Sequence, residues 1–520
     1  MRGIVAAGHP ETADAAVAVL REGGNAVDAA LAAMCAATVV EPVLASLGGG
    51  GFLVVRPGAG RLAGRSIVYD FFVQTPKRRR PRGDVDLRRV FADFGPAQQE
   101  FHIGMGAIAT PGVVKGLFEA HRDLGRIPIR GVVEPAIGLA RRGVPVSAVQ
   151  AYMLRVVRAI VEAGPATRAL FTSPAQPGEL IGEGEPLRLP DLADALEILA
   201  IEGEDLFYRG EMARLLTRDC AGAGGQVTPE DLRDYTVERR RPLQVELERA
   251  RVQLNPPPSM GGILVAFGLL LWQALGSFAG EFGGRDHLAR LVDVIRATGR
   301  ARREIGEGFS ADGAVFDTLL DPILIARYRD EIVNAPLVAR GTTQISVIDG
   351  AGGAASLSLS SGEGSGYVLP GTGIVLNNML GEADLNPGGL HGWPTDRRMA
   401  SMMTPAIVVG ADGGITALGS GGSKRIRTAM LQVLSNLFVL DMRLEEAIAA
   451  PRLHVEDETL SLEPGFPETG VDSLARLFAD VERWPGKNMF FGGVHAVRRS
   501  GAGALDGAGD ERRGGVVGVA

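Results

Sequence analysis

The sequence predicts a mixed α/β (α+β) protein built in layers. Three observations lead there. Segments of helical period alternate with β-branched runs along the chain. Gly341-Thr342-Thr343-Gln344-Ile345-Ser346-Val347-Ile348-Asp349 and Ala354-Ala355-Ser356-Leu357-Ser358-Leu359-Ser360 read as two arms of one hairpin. The 72 glycines cluster in short turns without a fixed period. A chain of 520 residues, 46% hydrophobic and 22% charged, can bury a sizeable core. Its net charge of −7 argues against a general nucleic-acid binder.

In chain order, residues 11–22 and 25–40 are predicted helices divided by Gly23-Gly24. Asn25 supplies the cap, and Ala26, Ala29, Ala30 and Ala33 give a face small enough for close packing. Cys35 is expected to be a small buried hydrophobe, and with only Cys220 beside it no disulfide framework is expected. Gly48-Gly49-Gly50-Gly51 lacks the Lys and Ser/Thr of a phosphate loop and reads as tightly packed backbone. A strand from Ser66 to Asp70 follows. Lys77-Arg78-Arg79-Arg80-Pro81-Arg82, trailed by Asp84 and Asp86, reads as a solvated loop. Glu134-Pro135-Ala136 is expected to open a helix, and Thr228-Pro229-Glu230-Asp231 to cap one. The apolar helix 263–275 is too short and interrupted to span a bilayer. Residues 320–341 read as an exposed connector.

Asp349-Gly350-Ala351-Gly352-Gly353 supplies the turn of the hairpin. Centred on Ala351, the register sets Thr342 opposite Ser360, so two hydroxyls meet at the open end. A Thr hydroxyl is a poor nucleophile at neutral pH, and a newly exposed α-amine on the same residue is a base of suitable strength. Further on, strand 415–418, the loop Gly419-Ser420-Gly421-Gly422 and helix 424–438 present backbone N–H groups outward, suited to an oxyanion. The seven histidines show no metal-ligand spacing, so no metal or cofactor is implied. No signal-peptide pattern is visible, which makes the cytoplasm the expected compartment.

Gly23-Gly24-Asn25-Ala26-Val27-Asp28-Ala29-Ala30, the Gly48–Phe52 run, Ile374-Val375-Leu376-Asn377-Asn378, Arg398–Pro405, Leu418–Ile426 and Gly509–Gly515 are spaced motifs. Together with the Thr-Thr hairpin they resemble the gamma-glutamyltranspeptidase family of N-terminal nucleophile hydrolases. The resemblance implies a four-layer αββα sandwich. It also implies self-cleavage between Gly341 and Thr342, giving a large segment 1–341 and a small segment 342–520 in one intertwined globular unit. Thr342 would then be the nucleophile, Ser360 its hydrogen-bonding partner, and Gly421 and Gly422 the oxyanion hole. Glu382 would hold the donor's α-amino group, and Met379 stands where the family commonly has Gln.

Two departures bear on substrate. Phe72 occupies the position of an Arg that grips the donor carboxylate, and a phenyl ring offers no equivalent of a two-pronged guanidinium pair. Ser401 and Met402 match a pair of serines, so one hydroxyl is lost as well. The expected activity is γ-glutamyl transfer or glutathione hydrolysis on a small-molecule donor. The alternatives are an acylase or amidase of the same fold acting on another acyl group, and an unprocessed non-catalytic homologue. No nucleic-acid or membrane partner is expected, and the oligomeric state is left open.

Overall fold

The structure is a computed structural model that describes residues 2–93, 98–276, 280–307, 342–383, 385–386, 388–422, 425–456 and 459–520. Its centre is the hairpin. Thr343–Asp349 pairs antiparallel with Ala354–Ser360, with Thr343 opposite Leu359 and Ser346 opposite Ser356, which is the register read from the sequence. The Asp349 carboxylate closes the turn by accepting from the N–H groups of Ala351 (2.9 Å) and Gly353 (2.8 Å). Its other oxygen accepts from Ala26 N–H at 3.0 Å, tying the turn to the first residue of the Ala26–Val40 helix.

Neighbouring strands extend the hairpin into a seven-stranded sheet. Its order is Val516–Val519, Gly3–Ala7, Thr343–Asp349, Ala354–Ser360, Gly50–Arg56, Ile67–Phe71 and Glu238–Arg240. A six-stranded sheet lies against it, in the order Leu505–Ala508, Gly493–Arg499, Ile415–Gly421, Ala406–Gly410, Ala250–Leu254 and Leu243–Leu247. Because side chains alternate along a strand, Ile345 and Val347 turn to the helices Pro10–Arg21 and Ala26–Val40, whereas Ile348 meets Ile407, Ile415 and Val497 of the second sheet. The helices Met260–Ala274, Arg285–Glu307 and Arg425–Phe438 cover the far side of that sheet. Helix, sheet, sheet and helix therefore stack as the four layers expected.

The layer between the sheets is polar near the open end of the hairpin. Ser358 Oγ donates to Gln344 Oε1 (2.6 Å), Ser346 Oγ to the His495 carbonyl (2.9 Å) and Ser356 Oγ to the Leu418 carbonyl (2.8 Å). All are buried, so these bonds satisfy groups that would otherwise be costly to enclose.

Several local expectations change. Ile415–Gly421 stays a strand through the glycines, because Gly419, Ser420 and Gly421 pair with His495, Val494 and Gly493, so only Gly422 turns away (φ +124). The helix around Pro135 starts earlier, at Ile129, and a buried stripe of Val132, Val133, Ala136, Ile137 and Leu139 carries it through the proline. Thr228 and Asp231 form the expected capping box. The basic run is a solvent-facing loop, as expected, but three of its side chains are also held by partners. Lys77 Nζ reaches Asp234 (2.6 Å), Arg79 bonds the Trp393 carbonyl and lies over its ring, and Arg80 donates to the Ala221 carbonyl. Cys35 and Cys220 are buried free thiols. No helix among the described residues is long and apolar enough to cross a membrane. The connector at 320–341 lies outside the described residues.

Candidate active site

Thr342 begins at the buried end of the central strand, 3% exposed, and the Ser360 side chain is buried with it. Leu359 pairs with Gly51 and Gly51 with Phe71, so the next row across the sheet is Thr342, Ser360, Gly50 and Phe72. With strands about 4.8 Å apart, this row sets Phe72 about 14 Å from Thr342 on the same face. Gly49 and Gly50 are required there. A Cβ on Gly49 would stand 2.3 Å from the Ser360 carbonyl oxygen, and one on Gly50 2.7 Å from Val73 N. The glycine run is close-packed backbone, as its sequence suggested.

The second sheet brings Gly421 to the same place. A Cβ on Gly421 would fall 2.1 Å from the Thr342 carbonyl oxygen. Gly341, the other side of the expected cleavage point, lies outside the described residues. Glu382 is buried rather than solvated, at 5% exposure. It lies next to the Ser360 turn, since a Cβ on Gly362 would meet Glu382 Oε1 at 2.3 Å and Asn378 Oδ1 at 2.0 Å. Ser360 Oγ accepts from Gly362 N–H (3.0 Å). Asn377 braces this end by donating to the carbonyls of Gly48 and Ala109, both at 2.9 Å.

The Phe72 side of the row is apolar. Its ring stacks on Phe52 with centroids 5.4 Å apart, and both belong to a buried cluster that includes Met379 and Met402. Ser401 is buried, its Oγ accepting from Met403 N–H (3.1 Å). Arg398 bonds the Phe72 carbonyl and the Tyr235 hydroxyl, behind the ring rather than in place of it. Lys77, Arg79 and Arg80 are engaged elsewhere, and Arg78 projects into solvent with a 3.7 Å contact to Glu230.

Two charged residues beside Thr342 carry no role in the sequence reading. Arg513 Nη1 donates to the Thr342 carbonyl at 3.1 Å. Glu41 accepts from Thr343 Oγ1 (2.7 Å) and Thr12 Oγ1 (3.1 Å). Burial raises the Glu41 carboxyl above its ordinary range, opposed by those two hydroxyls and by Arg513. Burial also lowers the Arg513 guanidinium to about 10, against the pull of Asp510 and Glu41. A lone Glu in the apolar run Val39-Val40-Glu41-Pro42-Val43 was the available signal.

Behind Arg513, Asp510 is buried between Arg452 Nη2 (2.6 Å) and Arg512 Nη1 (3.1 Å). Burial works against its charge, but the two arginines hold its carboxyl at about 2. Among the described residues no group of three or more His, Cys, Asp or Glu is placed to hold a metal.

The arrangement therefore gathers a buried Thr-Ser pair, a Gly-Gly strand end, a buried acid and an apolar wall. The family model for gamma-glutamyltranspeptidase matches residues 12–520. A glutathione hydrolase proenzyme of Pseudomonas aeruginosa is 32% identical, over 99% of this chain and 94% of its own. An acylase ACY 1 proenzyme from a Pseudomonas strain is 29% identical over 98% and 91%. The crystal structure of a cephalosporin acylase from Bacillus halodurans superposes with a TM-score of 0.84 over 99% of this chain and 95% of that one. At 23% identity it speaks for the fold alone. With a family model that runs through nearly all of its length, the chain belongs to the gamma-glutamyltranspeptidase family.

Proposed function

We propose that the protein is a self-processing N-terminal threonine enzyme that cleaves the amide bond of a small-molecule donor through an acyl-enzyme. The observation that carries this reading is the Thr342 backbone seated against Gly421 at the end of the row it shares with Ser360. Thr342 Oγ attacks the Gly341 carbonyl, and the Gly341–Thr342 C–N bond breaks to give an ester. Water hydrolyses the ester, leaving a Gly341 carboxylate and a free Thr342 amine. The large segment 1–341 and small segment 342–520 then remain as two subunits of one enzyme. The relatives' names as proenzymes support this.

In turnover the amine takes the proton of Thr342 Oγ as the oxygen adds to the donor amide. The N–H groups of Gly421 and Gly422 receive the developing oxyanion, and Ser360 supports the hydroxyl. The amine passes its proton to the leaving nitrogen. Water, or an amino acceptor, then releases the acyl group. Glu382 suits a donor that carries an ammonium group.

The family and the glutathione hydrolase relatives favour γ-glutamyl donors. A second reading, an acylase for a different acyl group, is favoured by the Phe52–Phe72 stack with Met379 and Met402, which sets a phenyl ring where the family has an Arg. The acylase relative agrees with it. The test is a denaturing gel of purified wild type and Thr342→Ala, followed by turnover of γ-glutamyl-p-nitroanilide against aliphatic acyl anilides. Two bands for wild type and one for the variant are expected, and an uncut wild type or a split variant refutes the mechanism. Preference for the γ-glutamyl anilide selects the first reading, and preference for aliphatic acyl anilides the second.

A further inference from the structure

Once the bond before Thr342 breaks, that residue is tethered only through its own carbonyl, and chain ends fray unless tied down. Arg513 supplies the tie by donating to Thr342 O. It is itself buried, in the turn Glu511–Arg513 that precedes Val516–Val519. That last strand pairs with Gly3–Ala7, which pairs in turn with the Thr343 strand, so the guanidinium is aimed from within the same sheet. On the opposite face Glu41 holds the Thr343 hydroxyl. The charged and titratable groups around Arg513 are Glu41 at the end of the Ala26–Val40 helix, Asp510 and Arg512 in its own turn, and His495 from Gly493–Arg499. Burial holds His495 at about 4, so it is neutral at neutral pH.

We propose that Arg513 is the positioning residue of the N-terminal nucleophile, fixing the freed chain end through the Thr342 carbonyl and keeping one positive charge beside the new amine. This rests on the reading of Thr342 as nucleophile. A residue's nitrogen and carbonyl oxygen are a few Å apart, so the guanidinium lies within roughly 7 Å of that amine. A like charge at such range lowers an amine's pKa and keeps it the unprotonated base at neutral pH. Glu41 and Asp510 provide the counter-charge a buried guanidinium needs.

The test uses full-length Arg513→Met, Arg513→Lys and Glu41→Gln, with self-cleavage read on a gel and the kcat–pH profile measured on the anilide that wild type cleaves best. Arg513→Met is expected to lower kcat about 100-fold with KM within about threefold, and to move the acid limb up by about one pH unit. Arg513→Lys keeps the limb and recovers part of kcat. Glu41→Gln, which removes an anion, moves the limb down, and it supplies this readout if Arg513→Met does not fold. An Arg513→Met chain that stays uncut while Arg513→Lys splits also supports the role, because one hydroxyl makes both attacks. Wild-type kcat in Arg513→Met, or a limb unmoved in both Arg513→Met and Glu41→Gln, overturns it. A wild-type chain that neither splits nor turns over removes the nucleophile reading, and this role with it.

Discussion

Acid should unfold this protein through its histidines before its carboxylates. His287, His454 and His495 are 1–2% exposed, and burial holds each at about 4, against 6.5 for a free imidazole. Above pH 6.5 all three are neutral whether the chain is folded or not, and they cost nothing. As pH falls from 6.5 toward 4 the unfolded chain takes up protons that the folded chain refuses, so stability drops, and the loss is complete below 4. At pH 5 each histidine costs about 2 kcal/mol, and the three together about 5–6 kcal/mol. Set against a typical total of about 5–15 kcal/mol, that removes a large share. Urea unfolding followed by fluorescence, at half-unit steps from pH 7.5 to 4.5, measures it (a range spanning about 1 unit above the free imidazole pKa). His287→Asn, which can still accept from Gly283 N–H as Nδ1 does, should reduce the drop by about a third. A change of less than about 1 kcal/mol between pH 7 and 5 would refute the reasoning.

Two further outcomes follow from close contacts near the site. Gly421→Ala puts a methyl group into the Thr342 carbonyl, so it should block self-cleavage or lower turnover about 100-fold with the circular dichroism spectrum unchanged; a gel and an anilide assay decide. Asp510→Asn keeps the shape but strips the charge between Arg452 and Arg512, and should cost about 3–5 kcal/mol in urea unfolding.

The hairpin and its register were legible because turn chemistry and a period of two both act within a few residues. The glycines at 419–421 misled for the converse reason. Their intrinsic preference is for turns, and only pairing with residues 493–495, far along the chain, holds them extended. The basic run at 77–80 likewise depends on Asp234, Glu230 and Trp393, which no local pattern connects to it. Glu134-Pro135-Ala136 is not the helix start expected from the sequence, because the buried stripe on both sides of Pro135 carries the helix through the bond that the proline forgoes. Glu41 and Arg513 were missed as site residues because their meaning arises only where the helix end, the C-terminal turn and the Thr343 strand converge.

In the seven-stranded sheet, Thr343–Asp349 is flanked by Gly3–Ala7 on one edge and Ala354–Ser360 on the other, and Val516–Val519 lies beyond Gly3–Ala7. The six-stranded sheet adds one more such junction, with Ala406–Gly410 bonded to Ala250–Leu254. A cut anywhere between residues 307 and 342 would therefore leave two polypeptides whose strands interleave like the fingers of clasped hands. Dilution alone could not part them. Release would demand that whole ladders be torn open, so the nicked molecule should sediment and melt as one body, and its halves, made apart, should find each other only by folding together.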